Sequence, residues 1–240
     1  MIADRIIGHR GVASLAAENT LGSIRQAARL GLRWIELDTT LLGDNTPVLS
    51  HDNSLDRCTD QQGLLQHLSL PELNQINATA LFQDSPAEPL PTLQQALTLV
   101  QQLGLNLNLE IKGFDLPPDQ VAEVICNALE QHWDNRCSLL ISSFDFEVLL
   151  AVRRLDPCPQ IGVLFEAIPD DWLGYMQAVD AASLHCDWEQ LSFRQAQAVK
   201  QAGYDLYCYT CNDTEQARRL FSIGVDGIFT DCPQDLLEQV

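Results

Sequence analysis

Residues 105–112 read LNLNLEIK, and apolar and polar side chains alternate without exception along this stretch. Successive side chains of a β-strand point to opposite faces, so the pattern predicts a strand with one apolar and one polar face. We expect the apolar face to pack against helices. The polar face, with Asn106, Asn108, Glu110 and Lys112, should then line the interior of a closed sheet.

The stretch WIELD at residues 34–38 repeats this alternation with acids. It places Glu36 and Asp38 on one face of the strand and two apolar side chains on the other. We therefore expect both carboxylates to point into the same interior as Glu110.

Short apolar runs recur along the chain, and each is followed by a segment with helical periodicity. The predicted strands are residues 5–9, 34–39, 105–112, 138–144, 160–166, 181–186, 205–211 and 227–230. The predicted helices are residues 21–30, 93–103, 119–133, 146–155, 171–179, 193–202, 214–223 and a stub from 234. Eight such units in 240 residues close naturally into a (β/α)8 TIM barrel, an α/β fold of about 250 residues.

One segment interrupts this rhythm between the second strand and its helix. An extension at residues 47–51 is followed by a polar stretch from residue 52 to about 89, which we interpret as a small inserted lobe in a single barrel domain spanning residues 1–240. Loops that follow barrel strands lie at the mouth where active sites form, so the insertion should shape access for a substrate.

The charge balance excludes several classes of partner. Lys and Arg number 14 and Asp and Glu number 33, which gives a formal net charge of −19. A surface this acidic repels nucleic-acid backbones and anionic lipid headgroups, so we expect a small-molecule substrate, no nucleic acid and no membrane. Monomer and homodimer both remain open.

The cysteines and the first residues bear on the cellular compartment. The eight cysteines lack the spacing of a disulfide scaffold, and we expect them to be buried free thiols in a reducing cytosol. The pair Cys208 and Cys211 is a weak zinc or redox signal without a second pair. The early residues contain no long apolar stretch, so we expect a soluble cytoplasmic protein.

The three interior acids, Glu36, Asp38 and Glu110, predict a metal site. Carboxylates that converge would repel one another unless a cation neutralises them. An all-oxygen ligand set suits Mg²⁺ or Ca²⁺, or alternatively Mn²⁺, better than zinc. The alternative is a buried polar network of structural origin.

Two histidines and an arginine occupy predicted mouth positions near these acids. The first strand ends in Gly8-His9-Arg10-Gly11, and His51 directly precedes Asp52 at the start of the insertion. Histidine can act as a general acid or base near neutral pH, and an arginine side chain matches the oxygens of a phosphate. We therefore interpret His9 and His51 as catalytic.

An ordered set of short motifs runs through nearly the whole chain. It comprises HRG at 9–11, ENT at 18–20, ELD at 36–38, PV at 47–48, HD at 51–52, LDR at 55–57, LPTL at 90–93, LEIK at 109–112, SF at 143–144 and GVDGIFTDCP at 224–233. This set resembles the glycerophosphodiester phosphodiesterase family. The resemblance implies a barrel with a small lobe after the second strand, and hydrolysis of deacylated phospholipids to sn-glycerol 3-phosphate and an alcohol.

The resemblance also implies roles for individual residues. It assigns one divalent cation to Glu36, Asp38 and Glu110, and acid–base chemistry to His9 and His51. It assigns phosphate contacts to Arg10 and Lys112. The aromatic residues Phe144 and Tyr209 are expected to shape the pocket for the alcohol.

Some alternatives stay open at this point. The same metal site could act on a lysophospholipid, a metal-dependent aldolase or isomerase could use strand-end carboxylates, and an inactive barrel could serve as a binding module. His185 could contact substrate or be structural, and Asp231 could bind hydroxyls or fix a turn before Pro233.

Overall fold

The computed structural model describes residues 5–82, 85–155 and 159–237. The strands are β1 Ile6–Gly8, β2 Trp34–Leu41, β3 Pro47–Leu49, β4 Asn106–Ile111, β5 Leu139–Ser143, β6 Gln160–Phe165, β7 Ser183–Asp187, β8 Asp205–Tyr209 and β9 Gly227–Thr230. The helices are α1 Leu21–Arg29, α2 Leu93–Gln102, α3 Pro118–His132, α4 Phe146–Leu155, α5 Trp172–Ala178, α6 Phe193–Gln201, α7 Thr214–Ser222 and α8 Pro233–Leu236.

Eight of these strands form a closed parallel barrel. Each pairs with the next, in the order β1, β2, β4, β5, β6, β7, β8 and β9, and β9 pairs back with β1. The helices surround the barrel, so the predicted (β/α)8 TIM barrel is confirmed. Several helices begin with a capping side chain: Thr20, Thr92 and Ser192 each accept a hydrogen bond from a backbone N–H in the first turn.

The ends of the strands differ from the predicted ends by one or two residues. The largest shift is in β7, which begins at Ser183 and reaches Asp187 instead of spanning 181–186. The extension after β2 was not predicted as a strand. It forms β3, which pairs antiparallel with the end of β2 because that stretch is long enough to continue past the barrel.

The apolar side chains form two main layers. A large cluster fills the space between strands and helices, and it includes the four apolar residues of the alternating stretch, Leu105, Leu107, Leu109 and Ile111. A second cluster lies inside the barrel and comprises Ile7, Trp34, Leu140, Tyr207 and Phe229. The predicted outer face of β4 is therefore confirmed, and the barrel interior has an apolar base.

The segment between β3 and α2 has a small apolar cluster of its own. Short 3-10 helices at Leu65–His67 and Leu70–Gln75 contribute Leu65 and Leu73 to it. Val48 of β3 belongs to the same cluster, so this segment packs directly beside the barrel edge formed by β2 and β3.

The predicted burial of the cysteines is only partly correct. Cys186, Cys208 and Cys211 are buried at the interface of strands and helices, but four others are half-exposed: Cys58, Cys126, Cys137 and Cys232. These four lie in the inserted segment, in α3 and in loops, where one side of each residue faces solvent. Cys158 lies outside the described residues. Within the described parts of the chain, no helix has both the length and the apolar character needed to span a bilayer.

Candidate active site

A cavity of about 200 Å³ opens where the barrel strands end. Its lining contains eight of the nine predicted site residues: His9, Arg10, Glu36, His51, Glu110, Lys112, Phe144 and Tyr209. The ninth, Asp38, is buried with 1% of its surface exposed and contacts Arg10 and Lys112. The sequence pattern therefore led to one continuous site at the mouth of the barrel.

The three predicted metal ligands lie together. The register of β2 and β4 sets Asp38 beside Glu110, and Glu36 lies one residue pair earlier on the same face. One carboxylate oxygen from each of the three lies within 4.8 Å of the other two. Glu36 Oε1 is buried and has no hydrogen-bond partner among the described residues.

Burial and mutual repulsion act on these acids in different ways. Burial raises the pKa of Glu36 well above its usual value and raises that of Glu110 to about 7, with repulsion from Asp38 added in both cases. Burial acts in the same direction on Asp38, but Lys112 and Arg10 outweigh it and lower its pKa. Glu36 and Glu110 are hard to ionise without a positive charge nearby, and Glu36 Oε1 lacks a hydrogen-bond partner among the described residues. Both features are consistent with a binding site for a divalent cation.

Lys112 and Arg10 bring positive charge to this acidic cluster. Lys112 Nζ lies 3.1 Å from Asp38 Oδ1 and also donates to Glu110 Oε1. Arg10 Nε lies 3.4 Å from Asp38 Oδ2. Burial opposes the charge on Lys112, but Asp38 and Glu110 outweigh it and raise its pKa, so the ammonium group stays charged beside the cavity.

The glycine pair around His9 and Arg10 allows a tight turn. A Cβ on Gly8 would lie 2.1 Å from the carbonyl oxygen of Gly11, and Gly11 itself has a φ of +86°. The backbone of Arg10 also has a left-handed conformation, with a φ of +52°. Its backbone N–H donates to Glu36 Oε2 at 2.8 Å. The turn therefore brings the His9-Arg10 backbone directly against the acidic cluster.

His9 is held by an acid from the far end of the chain. Its Nδ1 lies 2.7 Å from Asp231 Oδ1, and Asn212 Nδ2 donates to the other oxygen of Asp231. Burial opposes ionisation of Asp231, but its hydrogen bond with His9 outweighs this and lowers the pKa. His9 Nε2 is then the ring nitrogen nearer to Glu36, at 4.0 Å.

His51 has the same arrangement within the inserted segment. Its Nδ1 lies 2.7 Å from Asp52 Oδ1, and Arg57 donates to both oxygens of Asp52. Arg57 also donates to both oxygens of Glu18, which accepts from Arg10 at 2.7 Å. Arg57 therefore connects the lobe, the first loop and the acidic cluster in one network.

The opposite wall of the cavity is aromatic. Phe144 and Tyr209 meet edge to face with ring centroids 5.7 Å apart, and Lys112 Nζ lies 5.7 Å from the centre of the Phe144 ring. The hydroxyl of Tyr209 donates to the carbonyl of Phe165 at 2.8 Å, which holds the ring in place. Phe144 is 49% exposed, so this pair borders the opening.

Several residues of the site were not assigned a role by sequence reasoning. Asp52, Glu18 and Arg57 were only parts of motifs, although the acid next to His51 was an available signal. Asp231, which was left between two roles, contacts His9. The cavity is also lined by Asn108, which alternation places on the interior face, and by His185, which was left between two roles. Its remaining lining residues, Leu164, Thr210 and Phe229, were not assigned to the site by any local pattern.

Comparison with known proteins gives consistent matches over the whole chain. The family model described as the glycerophosphoryl diester phosphodiesterase family matches residues 9–235. A glycerophosphodiester phosphodiesterase from Caldanaerobacter subterraneus is 31% identical over 238 residues, covering 98% of this chain and 97% of that protein. One from Bacillus altitudinis is 27% identical and covers 95% of both chains.

A solved structure is also very similar. It is an Oleispira antarctica phosphodiesterase in complex with the product sn-glycerol-3-phosphate, with 35% identity and a TM-score of 0.96. The match covers 99% of this chain and 96% of that one. The chain thus belongs to the glycerophosphoryl diester phosphodiesterase family and is a phosphodiesterase of that family.

Proposed function

We propose that this enzyme hydrolyses glycerophosphodiesters to sn-glycerol 3-phosphate and an alcohol, and that one divalent cation is required. The observation that carries the proposal is the buried triad Glu36, Asp38 and Glu110, which faces the same cavity as two histidines held by acids. The product bound to the similar Oleispira phosphodiesterase supports the proposed product.

The ligand set favours a hard cation. Three carboxylates and no nitrogen or sulfur ligand match Mg²⁺ or Ca²⁺, with Mn²⁺ as the alternative. When bound, such an ion would withdraw charge from a phosphoryl oxygen and strengthen the electrophilic phosphorus.

Arg10 and Lys112 are proposed to contact the phosphate. Arg10 lines the cavity, and its Nε lies 3.4 Å from Asp38 Oδ2 but has no hydrogen-bond partner among the described residues. Lys112 lies between the triad and the aromatic wall. Both cations offset the −19 charge of the chain at the place where a phosphodiester must bind.

His9 and His51 are proposed to transfer the protons. In each, Nδ1 contacts an aspartate, which fixes the ring and leaves Nε2 for the substrate. One histidine takes the proton of the nucleophile, and the other gives a proton to the leaving alkoxide. The nucleophile is water or the neighbouring glycerol 2-hydroxyl.

A direct assay tests this proposal. Purified protein is incubated with glycerophosphocholine and glycerophosphoethanolamine in Mg²⁺, in Ca²⁺ or in chelator, and released sn-glycerol 3-phosphate is measured. We expect release in at least one cation and none in chelator. Full activity in chelator would refute the metal requirement, and release of choline phosphate would refute the assigned bond.

The cellular setting belongs to the same proposal. We place the enzyme in the cytoplasm, because its eight cysteines lack the spacing of a disulfide framework and the seven described ones are free thiols. Fractionation of cells that express the chain would test this location.

A further inference from the structure

Besides Glu36 Oε1 and Arg10 Nε, two further buried polar atoms of residues that line the cavity are unpaired within the described part of the chain. Asn108 Oδ1 and His185 Nδ1 have no hydrogen-bond partner among the described residues. The two residues are 1% and 0% exposed, and both line the cavity. Because buried polar atoms are nearly always paired in folded proteins, these two require a partner that the described residues do not supply.

Neither side chain is free to turn elsewhere. Asn108 Nδ2 donates to Ser142 Oγ at 3.0 Å, and His185 Nε2 lies 2.9 Å from Ser183 Oγ. A Cβ on Gly162 would lie 2.6 Å from His185 Nε2, so only glycine leaves room for the ring at that place. The rings of Tyr207 and Phe229 pack against His185 from two other sides.

This pair of side chains is electrically neutral. Burial lowers the pKa of His185 to about 3, so its imidazole carries no charge near neutral pH. If the hydroxyl of Ser183 donates to Nε2, then Nδ1 is the nitrogen that bears the proton. A hydroxyl group both donates and accepts, so a ligand hydroxyl is the kind of group that can accept from His185 Nδ1 and donate to Asn108 Oδ1.

The pair lies at the deep side of the charged part of the site. Asn108 precedes Glu110 by two residues on the same face of β4 and pairs in register with Glu36, so it lies one layer deeper in the barrel than the Asp38–Glu110 pair and level with the deepest acid of the triad. His185 packs on the Tyr207 and Phe229 rings at the apolar base of the barrel interior. The pair is therefore at the closed end of the cavity, whereas the half-exposed Phe144 is at its opening.

We propose that Asn108 and His185 form a subsite that binds the terminal hydroxyl of the glycerol moiety. This inference rests on the proposed function, because it assumes a glycerophosphodiester substrate. The glycerol end is neutral and the same in every such substrate, so it suits a closed, neutral site. The alcohol varies between substrates, so it suits the open aromatic end.

The test compares two substrates that differ by one hydroxyl. Glycerophosphocholine carries the terminal hydroxyl, whereas 2-hydroxypropyl phosphocholine lacks it but keeps the hydroxyl next to the phosphate. For Asn108→Leu and His185→Phe, we expect the ratio of kcat/KM between the two substrates to fall about tenfold, which is the value of one ordinary hydrogen bond. If the analogue is not turned over, its Ki as a competitive inhibitor replaces its kcat/KM.

Asn106→Leu is the matched control. Asn106 lies two residues before Asn108 on the same face of β4 but does not line the cavity, and its Oδ1 accepts from the backbone of Ser138. We expect this control to leave the ratio unchanged. Equal losses on both substrates in Asn108→Leu and His185→Phe, or no change at all, would show that the two side chains only support the fold and would overturn the subsite.

The outcomes also separate this inference from the proposed function. If the unaltered enzyme releases no sn-glycerol 3-phosphate from glycerophosphocholine, the proposed function fails and the subsite fails with it. If it releases the product but treats both substrates alike, only the subsite fails.

Discussion

The two walls of the cavity differ in composition. The wall formed by β1, β2, β4 and the inserted segment carries the acids, cations and paired histidines, such as Glu36, Lys112 and His51. The wall formed by β5 to β9 carries neutral and aromatic side chains, such as Phe144, Leu164 and Tyr209. Under the proposed function, one half of the barrel supplies the chemistry and the other half the shape of the substrate pocket.

The largest effect is expected at the acidic triad of the charged wall. Glu110→Gln keeps the size of the side chain but removes the charge of one proposed ligand. We expect kcat/KM for glycerophosphocholine to fall by roughly 10,000-fold, about 5 kcal/mol of transition-state stabilisation. Cation affinity measured by calorimetry should fall in parallel. A variant with normal activity and no change in cation affinity would contradict the assignment.

The histidines of the same wall should have the next largest effect. His9→Ala and His51→Ala each remove one proposed proton-transfer group, and we expect kcat to fall about 1,000-fold. Cation binding should be retained in both, which distinguishes them from the triad variant. Near-normal turnover in either variant would refute the proposed pair.

Arg57 tests whether the network behind the charged wall matters. Arg57→Met removes the side chain that connects Asp52 with Glu18, so His51 and Arg10 lose their shared support. We expect kcat to fall about 10- to 100-fold. Arg136→Met is the matched control, because Arg136 forms its ion pair with Asp134 on the surface and its side chain is 74% exposed. Equal activities in the two variants would show that the network has no role.

The charged wall could be predicted from the sequence to a large extent. Alternation along β2 and β4 fixes which face Glu36, Asp38 and Glu110 share, and parallel pairing then brings them together, so a local pattern was sufficient. Asp231 and Arg57 show the limit of that reasoning. Their partners His9 and Glu18 are 222 and 39 residues away, so only the closed barrel and the packed lobe define these contacts.

The neutral wall was harder to predict for another reason. His185 lies between Ser183 and Asp187 on the polar face of β7, and its neighbours Tyr207 and Phe229 come from two other strands. Burial, and not periodicity, determines whether such a residue is structural or contacts a ligand.

The raised pKa of Glu110 predicts how the effect of bound cation on stability depends on pH. Between the usual glutamate pKa, about 4.3, and the folded value for Glu110, about 7, the cation-free folded protein holds a proton that the unfolded chain has lost. Stability without cation therefore falls as the pH rises through this window, and the penalty is complete above pH 7. Bound cation removes the penalty.

We expect the difference in Tm between Mg²⁺-loaded and chelated protein to be larger at pH 8 than at pH 5, by a few degrees. Differential scanning calorimetry at the two pH values measures it. In Glu110→Gln the chelated protein should lose much of this pH dependence. The same difference in Tm at both pH values would contradict the role of Glu110.

The smallest effect is expected on the neutral wall, at the opening of the cavity. Phe144→Leu removes the ring that lies over Lys112 and against Tyr209 but keeps an apolar side chain. A cation over an exposed ring contributes about 0.5–1 kcal/mol, so we expect KM for glycerophosphocholine to rise a few-fold while kcat stays the same. Glycerophosphodiesters with an uncharged alcohol should show a smaller rise, since such an alcohol brings no cation to the ring. A large fall in kcat would instead mean that Phe144 orients Lys112 for catalysis. The neutral wall would then contribute to the chemistry at the opening of the cavity, and the contrast between the two walls would not apply there.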